Sequence, residues 1–547
     1  YGWFFQDDFK ASKKLTLNIG LRYDIDIPPT ERRGEVGNVC LWCANPDANG
    51  ILGAIEFGGV GPGRIGQDRF TDVRKNGWGP RIGFAYQVTP TTVLRAGAGL
   101  FYDPPREGGN ADTHNTGFAG YRTVNQPNSY TQAFTLAQGF PTPVPPPTID
   151  PGICSLNSNV SCTPWLQYPY SGYAPRMGTW NITAEHRFGN NTLVRAAYEG
   201  TVGVHLYAEK ESLDQTPSQY LALGTMLLQP ISSVLGTPAG DAAGIKLPFA
   251  SFPTDLTVAQ ALLPYPQYYG MSEAPLGDIS GHTTYHSLEL SVEHTMSHGL
   301  WLSANYTWSK LIGNTQGGNP GLGGFIGNGD SGTQDEDDRR ADKAVSPGDV
   351  PHRLVITYVY NLPVGRGKHF LGNTNAVADA VLGGWRVSGV QQYQSGVPIW
   401  VNSNQTTGLL NHQEERANVN WGTPLKNPAW NGDPNAGIPY LNPAAFSRPA
   451  EFTFGNSPET FTNLRNPAYL NEDFSLSKDF SIVEKVKLTI QANFFNVFNR
   501  VIFAGPNANS GTTVESASFG MISSQTGDPN SGIPGSREIQ LMGRITF

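Results

Sequence analysis

The sequence predicts an all-β protein, a transmembrane antiparallel up-and-down β-barrel with long extracellular loops. Three observations predict this fold class. The 547 residues include 64 Gly and 42 Pro but only 15% charged residues, a composition typical of strands joined by turn-rich loops. Many segments alternate apolar and polar residues with a period of two. Short turns and long loops connect these segments in alternation, as in barrels that span a membrane.

The alternating segments are the predicted strands. In KLTLNIGLRYD, Leu17 and Ile19 lie on one face, whereas Asn18 and Arg22 lie on the other. About fourteen such segments follow one another along the chain, and short turns such as TPT and GNN join several of them. The first is WFFQDDFK, and the last two are SFGMISS (518–524) and IQLMGRITF (539–547).

Membrane lipid is the expected environment of one strand face. The predicted strands run about 9–11 residues, long enough to cross a bilayer core at a tilt, whereas sandwich strands run about 5–6. Their apolar stripes lack charged residues over the middle stretch. Aromatic residues at the ends of the stripes fit girdles at the two membrane interfaces: Tyr23, Tyr86, Tyr102, Phe188, Trp308, Tyr360, Phe480 and Phe547. Unpaired backbone groups are costly in hydrocarbon, so such strands require a closed barrel.

The net charge, the loop lengths and the first residues of the chain limit which other classes of protein the sequence could represent. The net charge of −8 provides no basic surface for nucleic acid. Pro, Gly and Asn concentrate in the predicted long loops 27–77, 103–177, 201–283 and 395–470, which are unusually long for a compact soluble domain. Neither Met nor a signal peptide opens the chain, so we expect it to be a piece of a longer protein.

Four cysteines occur as two local pairs in polar, loop-like stretches: Cys40 with Cys43, and Cys154 with Cys162. The local spacing favours two short-loop disulfides in an oxidising compartment. A zinc site of four thiolates and two reduced, inert pairs are the alternatives. The wide spacing of the second pair argues against a zinc knuckle.

Three motifs suggest chemistry that their context does not support. Ser331 lies in GDSG, but no matching His segment accompanies it, and a glycine-rich loop is the simpler interpretation. The acidic run 335–338 within DEDDRRADK offers carboxylates to a cation, yet it lacks EF-hand spacing and favours a salt-bridged loop surface. Four histidines occur on strands rather than on one helix, which argues against a metal site: His282, His286, His294 and His298.

Loop aromatic residues are the candidate ligand contacts. Tyr and Trp rings can stack on a sugar or a siderophore, and they can equally brace long loops against each other. The candidates are Tyr121, Trp165, Tyr168, Tyr170, Tyr265, Tyr268, Tyr269 and Trp421. Both roles remain open at this point.

Several stretches resemble TonB-dependent receptors of the Oar-like type. They include WGPRIGFAYQVTPTTVLRAGAGLFYD, DVPHRLVITYVYNLPVGRGKHF, LSKDFSIVEKVKLTIQANFFNVFNRVIF and the closing SREIQLMGRITF. The match covers most strands and the loops much less. The resemblance implies a 22-stranded barrel filled by an N-terminal plug, of which residues 1–547 are the C-terminal portion, without the plug and the signal peptide.

The resemblance also implies a location, partners and a terminal signal. The chain would lie in the outer membrane of a Gram-negative bacterium, contact lipid and lipopolysaccharide, and bind TonB through the absent N-terminal plug. The alternating residues of the last strand resemble the signal read by the outer-membrane assembly machinery: Ile539, Leu541, Gly543, Ile545 and Phe547.

The predicted function is energised uptake of an unidentified ligand, such as an oligosaccharide, a peptide or an iron chelate. The resemblance implies no cofactor, and no catalytic grouping that would make the chain an enzyme is evident in the strands. The alternative is a structural protein of the outer-membrane surface that serves adhesion.

Overall fold

The computed structural model describes most of the chain in several stretches. The described residues are 1–28, 30–102, 117–118, 134–135, 137, 139, 149–158, 163–166, 174–206, 212–273, 279–315, 333–404, 415–483, 486–506, 511–525 and 535–547.

Twenty strands occur in the described residues. In chain order they are β1 (Gly2–Phe9), β2 (Leu15–Asp26), β3 (Gly37–Ala44), β4 (Leu52–Phe57), β5 (Arg74–Thr89), β6 (Thr92–Tyr102), β7 (Trp165–Leu166), β8 (Arg176–Phe188), β9 (Thr192–Leu206), β10 (Ser272–Glu273), β11 (Gly281–Ser297), β12 (Leu300–Gly313), β13 (Ala344–Val345), β14 (His352–Asn361), β15 (Trp385–Gln394), β16 (Asn418–Val419), β17 (Phe446–Ser447), β18 (Tyr469–Val483), β19 (Val486–Phe495) and β20 (Glu538–Thr546).

A 14-stranded antiparallel sheet is the main element of the structure. Its order is β1-β2-β5-β6-β8-β9-β11-β12-β14-β15-β18-β19-β20, and the short β13 pairs with β12. Each strand therefore pairs with the next long strand along the chain, which is an up-and-down topology. The predicted fold class is confirmed. β1 and β20 lie at the two ends of this order.

The two faces of the sheet separate apolar from polar residues. The register places Ile19 opposite Ile82 and Ile82 opposite Ala98, so one apolar stripe continues across neighbouring strands. Ile82 is 63% exposed and Leu541 is 78% exposed, so no other described part of the chain covers this apolar face at these positions. A water-facing sheet would not leave such a stripe bare, whereas lipid solvates it.

Several strands are longer than the sequence predicts. β5 has 16 residues and β11 has 17, against the predicted 9–11 or so. In β5 the extra residues, 74–80, lie at the end that leads to a long loop. The strands therefore continue past the length that a bilayer core needs and support the loops beyond it.

The opposite end of the sheet has tight turns. Between β11 and β12 the chain reverses at Gly299, whose φ is +85°. A Cβ atom there would lie 2.6 Å from the carbonyl oxygen of Asn361, so both the backbone conformation and the space require glycine. One connection at this end is longer, 362–384 between β14 and β15.

The predicted strand 518–524 is wrong. β19 pairs directly with β20, whereas residues 518–520 form a turn and residues 521–524 have no regular secondary structure. Phe519 and Ile522 are buried in a cluster of loop residues. The alternation in SFGMISS therefore reflects packing inside the loops and not a membrane-facing stripe.

The long connections contain short helices. The 3-10 helices are Pro46–Ala48, Ser218–Leu228, Ile231–Ser233, Pro434–Ala436 and Pro443–Ala445, and the α-helices are α1 (Pro238–Ala242), α2 (Val258–Ala261) and α3 (Ala376–Leu382). Among the described residues, no helix has the length and apolar character needed to cross a membrane.

The buried cores lie in the long connections and not in the sheet. We call the described parts of the connections 27–73, 103–175, 207–280, 314–351, 395–468 and 496–537 the loop layer. One core surrounds Leu227 and Val258, a second surrounds Ile399 and Leu441, and a third surrounds Ile55. The loop layer therefore folds as a packed, water-soluble structure on one end of the sheet.

Candidate functional site

Direct hydrogen bonds join the first three connections of the loop layer. Tyr268 lies at the centre of this junction: Asn45 Nδ2 donates to its hydroxyl at 2.9 Å, and the hydroxyl donates to the Gly53 carbonyl at 3.2 Å. Gln267 also donates to the Gly53 carbonyl at 2.9 Å, and its own carbonyl accepts from the Leu156 amide at 2.7 Å. Burial raises the pKa of the Tyr268 hydroxyl, which therefore stays protonated.

Tyr268 braces the long connections against each other and does not contact a ligand. Its ring is fully buried, so it offers no surface for a ligand, which corrects its place among the candidate ligand contacts. Tyr265 is half-buried in the same core. Tyr269 and Trp421 are 66% and 62% exposed, and they remain candidates. Tyr121, Tyr168, Tyr170 and the side chain of Trp165 lie outside the described residues.

A buried ion pair joins the fourth and fifth connections. Arg416 and Asp342 are each 1% exposed, and Arg416 Nη2 donates to Asp342 Oδ1. Arg416 Nη1 also donates to the Ala341 carbonyl at 3.0 Å, and Arg339 Nη1 lies 3.3 Å from Asp342 Oδ2. Burial raises the pKa of Asp342, and the two guanidinium groups oppose that effect.

The first half of the acidic run is internal, whereas Asp337 and Asp338 are exposed. Asp335 Oδ1 accepts from Gln215 Nε2 at 2.7 Å, and the Glu336 amide donates to Gln215 Oε1 at 3.0 Å. Glu336 is buried, with Arg339 Nη1 3.5 Å from its carboxylate. The prediction of ion pairs holds, but this part of the run lies at a junction between connections rather than on an open surface. Ser331 lies outside the described residues.

The fifth and sixth connections are joined by backbone and side-chain bonds. The Asn402 amide donates to the Thr512 carbonyl at 3.0 Å, and the Tyr440 amide donates to the Gly520 carbonyl at 2.6 Å. Ser403 Oγ donates to Glu515 Oε1 at 2.5 Å. Successive connections of the loop layer are thus tied together, which holds its outer surface in one shape.

A surface cavity of about 520 Å³ opens in the fifth connection. Its walls include Lys426, Tyr440 and Arg465, and Lys426 Nζ lies 4.4 Å from the centre of the Tyr440 ring. Arg465 is held in place because its Nη2 donates to Asp349 Oδ2 at 2.5 Å. Burial raises the pKa of Tyr440 to about 12, so its hydroxyl remains a donor, and it donates to the Arg465 carbonyl at 2.6 Å.

This cavity suits a polar ligand that carries negative charge. Lys426 is exposed and provides a mobile ammonium group, whereas Arg465 provides a fixed guanidinium group. Asn463 and Asn466 add amide groups that can donate and accept. No local sequence pattern indicates this cavity, because residues 424–426, 440 and 463–468 meet only in the folded loop.

The polar face of the sheet carries a ladder of ion pairs. Glu185 Oε1 lies 3.1 Å from Arg195 Nε on the neighbouring strand, and Glu185 Oε2 lies 3.6 Å from Arg95 Nε on the other side. Glu185 belongs to β8, Arg195 to β9 and Arg95 to β6. Charged groups on this face and apolar groups on the other are the arrangement expected of a wet interior and a lipid-facing exterior.

The three described cysteines are disulfide-bonded. Cys40 and Cys43 are bonded to each other, and Cys154 is also disulfide-bonded. Cys162, the predicted partner of Cys154, lies outside the described residues. The bonded pair in β3 has no thiolate for zinc, which argues against the four-thiolate alternative. Cys40 and Cys43 lie close to Glu56, but as a disulfide they are not metal ligands.

The strand histidines bind neighbouring side chains separately. His286 Nδ1 lies 2.8 Å from the Tyr198 hydroxyl, and His294 Nδ1 lies 2.8 Å from Thr192 Oγ1. His298 occupies a turn with a φ of +49°. The strands thus separate these residues rather than gather them around one point.

The terminal strand has the predicted alternation. Pairing with β19 places Leu541 opposite Ala492 and Ile545 opposite Leu488, on the apolar face. Every residue of β20 is exposed, and Phe547 is 96% exposed. The positions proposed as an assembly signal therefore lie at an open edge of the sheet: Ile539, Leu541, Gly543, Ile545 and Phe547.

Comparison with solved structures finds outer-membrane receptors at low similarity. The pyoverdine receptor FpvA from Pseudomonas aeruginosa is 10% identical with a TM-score of 0.38, and the match covers 100% of this chain and 42% of that one. The ferric-catecholate import receptor Fiu from E. coli is 10% identical with a TM-score of 0.37, covering 100% of this chain and 44% of that one. The FrpB iron transporter from Neisseria meningitidis gives the same values.

The chain spans less than half of the length of these receptors. No curated protein matches it. The model of a family described as the outer membrane beta barrel domain matches residues 1–540. The strand array, the bare apolar face and this match agree, and they place the protein in the outer membrane of a Gram-negative bacterium. The chain belongs to the outer-membrane β-barrel domain family.

Proposed function

We propose that this chain is the barrel part of a TonB-dependent receptor of the Oar-like type, which takes up a ligand across the outer membrane. The observation that carries the proposal is the position of a firmly packed loop layer above a sheet with a charged polar face. A receptor needs a fixed outer surface for capture and a wet route for passage. The loop junctions at Tyr268 and Arg416 supply the first, and the ladder at Glu185 supplies the second.

The cavity beside Lys426 is the proposed capture site. Its cationic groups favour ligands with negative charge or many hydrogen-bonding groups, which include oligosaccharides, peptides and iron chelates. Tyr269 and Trp421 are exposed on the loop layer, and Tyr121, Trp165, Tyr168 and Tyr170 remain proposed contacts on sequence grounds. We propose no catalytic role for the chain.

The chain is proposed to work as the C-terminal portion of a larger barrel. In the described sheet, β1 and β20 lie at the two ends of the strand order, and each presents an unpaired edge. Such edges are costly in lipid, which supports further strands between them in the membrane. TonB would act through an N-terminal plug, the assembly machinery would read the strand ending in Phe547, and lipopolysaccharide would contact the outer rim.

Uptake in a deletion strain tests the proposal. We expect loss of uptake of one ligand class from a panel of labelled iron chelates, oligosaccharides and peptides, with recovery on complementation by the intact gene. Complementation with Lys426→Glu should restore less uptake than Lys246→Glu, which changes an exposed lysine in another loop. Normal uptake of the whole panel together with loss of cell adhesion would favour a structural surface protein instead.

A further inference from the structure

The connection 362–384 differs from the other turns at its end of the sheet. It is folded rather than extended: the Phe370 amide donates to the Pro363 carbonyl at 2.9 Å, and the Gly367 amide donates to the Gly372 carbonyl at 2.9 Å. Asn375 Oδ1 accepts from the Ala378 amide at 2.9 Å and caps α3. These backbone groups of the connection thus form their hydrogen bonds within the connection itself and not with the loop layer.

Two side chains fasten the connection to the sheet. Trp385 Nε1 donates to the Val381 carbonyl at 2.9 Å, and Lys478 Nζ donates to the Gly383 carbonyl. Asp379 Oδ1 accepts from the Arg366 amide at 2.6 Å, which joins α3 to the preceding turn. The connection therefore has a defined position relative to β15 and β18.

Several large apolar side chains of the connection are uncovered. The largest are Phe370 (55% exposed), Leu371 (54%), Val377 (78%), Val381 (62%) and Leu382 (45%). Val377 and Val381 are four residues apart and lie on the same side of α3. A turn that faces only water would not concentrate five large apolar side chains in thirteen residues.

The connection joins the sheet at Trp385, on the lipid-facing side. Trp385 is opposite Lys478 in the register, and Lys478 Nζ lies 5.2 Å from the Trp385 ring centre and 4.9 Å from that of Phe480. Phe480 in turn is opposite Leu488 on the apolar face. Aromatic rings, and lysines whose aliphatic stems pack on apolar surface, are both common at a membrane interface.

An apolar groove of about 620 Å³ lies beside the connection. Leu300, Tyr358, Tyr360 and Val387 line it on the same face of the sheet, together with Leu362, the first residue of the connection. The remaining lining residues are His294, Ser297 and His298, and the apolar part of the lining fits an acyl chain that lies along the sheet.

The same connection carries exposed positive charge. Arg366 and Lys368 lie three to five residues before Leu371, and both are exposed. Basic side chains next to apolar ones are the combination by which interfacial segments bind anionic lipid surfaces.

We propose that the 362–384 connection is a membrane-interface anchor that binds anionic phospholipid in the inner leaflet of the outer membrane. Its apolar side chains lie among the upper acyl chains, and Arg366 and Lys368 lie at the phosphate groups. The proposal rests on the outer-membrane location of the family and does not depend on transport, so a result on uptake leaves it unaffected.

Fluorescence from a single added cysteine tests the anchor. The described cysteines are all disulfide-bonded, so Val381→Cys can be labelled selectively with an environment-sensitive dye when no reductant is present. In vesicles of phosphatidylcholine and phosphatidylglycerol, we expect blue-shifted emission and quenching by nitroxide lipids. A nitroxide high on the acyl chain should quench more than one near its end, because such segments insert only about 5–10 Å.

Val60→Cys is the matched control, since Val60 is 83% exposed in the loop layer. Its label should give water-like emission without quenching. A second label at Val377→Cys shows whether a result at Val381→Cys comes from a local perturbation by that one substitution. If both labels in the connection behave like the label at Val60 in correctly assembled protein, the anchor proposal is overturned, and a protein contact would then be the better explanation of the exposed side chains.

The headgroup part of the proposal has its own test. Arg366→Gln with Lys368→Gln should reduce the extra quenching seen when phosphatidylglycerol replaces phosphatidylcholine, and high salt should reduce it in the unchanged protein. Arg32→Gln with Lys246→Gln, two exposed charges in the loop layer, should leave it unchanged. Equal quenching in both lipids for every variant would contradict anionic headgroup binding.

Discussion

Apolar residues are buried in the loop layer but exposed on one face of the sheet. In the loop layer, Leu227, Ile231 and Val258 are completely buried against one another. In the sheet, Ile82 is 63% exposed and Leu541 is 78% exposed. The difference shows that one chain is folded for two solvents. Water drives the loop residues into cores, whereas lipid solvates the strand residues and leaves backbone pairing as the requirement for stability.

Polar residues show the same division. Asp342 and Arg416 are buried as a pair in the loop layer. In the sheet, Arg95 and Arg195 retain about half of their exposure beside Glu185. A lost partner should therefore cost much more in the loop layer, where water cannot replace it.

Arg416→Ala should be the most damaging change in the loop layer. It leaves Asp342 buried with Arg339 as its only nearby guanidinium among the described residues, and it removes the donor to the Ala341 carbonyl. We expect the loop layer to lose about 3 kcal/mol, at the low end for a broken buried pair because Arg339 remains. Hydrogen exchange of residues 415–419 should rise, while that of β5 should not change.

Arg448→Ala is the control for this change. Arg448 pairs with Glu451, and both side chains are more than one-third exposed. Its loss should cost under about 1 kcal/mol. Similar hydrogen exchange in the two variants would mean that burial does not determine how much an ion pair contributes to stability. Faster exchange throughout β5 in Arg416→Ala would mean that the loop layer and the sheet unfold as one unit.

Ile182→Lys tests whether the apolar face of the sheet contacts lipid. Ile182 lies on the apolar face of β8, opposite Ala96 and Tyr198, and it is 44% exposed. A lysine near the bilayer midplane costs about 2–4 kcal/mol, so folding into bilayers should weaken by that amount. Equilibrium unfolding from vesicles, followed by tryptophan fluorescence, measures it.

Asn181→Lys is the neighbouring control on the polar face. A charge there meets water and the other polar side chains, so stability should change by under about 1 kcal/mol. Equal costs at positions 181 and 182 would contradict the assignment of the two faces. A larger cost at position 181 would reverse it.

The sheet could be predicted because its determinants are local. Alternation within each segment, together with the turn between two segments, is sufficient to predict the strands, their faces and their order. The errors have local causes too. SFGMISS alternates, but Phe519 and Ile522 are buried in the loop layer. β5 and β11 extend beyond the predicted length at the ends that lead to long connections.

The loop layer could not be predicted in the same way. Asn45 meets Tyr268 and Asp342 meets Arg416 across long stretches of sequence, and no local pattern indicates either pair. Tyr268 and Tyr269 are adjacent tyrosines in the sequence, yet one is buried and the other exposed. Only the fold separates a bracing aromatic residue from a candidate ligand contact.

Tyr268→Phe should therefore have a moderate effect. The ring still fills its site, but Asn45 loses an acceptor and the Gly53 carbonyl loses one of its donors. We expect the junction to lose about 1–2 kcal/mol, measured by thermal unfolding of the loop layer and protease susceptibility of residues 45–53. Tyr269→Phe should have no measurable effect on stability. Equal stability of both variants would contradict the bracing role.

The effect of Asp214→Asn on stability should depend on pH. Burial raises the pKa of Asp214 to about 8, although the Tyr265 amide, which donates to its Oδ1 at 2.9 Å, works against that shift. In the unfolded chain the carboxyl group ionises near its usual pKa of 3.8. The folded loop therefore binds the extra proton, and its stability falls as pH rises from about 4 to about 8.

Asparagine keeps the acceptor for Tyr265 and does not titrate in this range. The ratio of hydrogen-exchange protection between the original protein and Asp214→Asn, taken over residues 217–262, should thus decline by about tenfold or more from pH 5 to pH 8. Taking the ratio at each pH removes the intrinsic pH dependence of exchange. Asp241→Asn, an exposed acid in the same connection, should give a constant ratio. If the Asp214→Asn ratio is also constant, the carboxyl group is not buried in water-free surroundings, and the loop layer is less like a soluble core than its packing indicates.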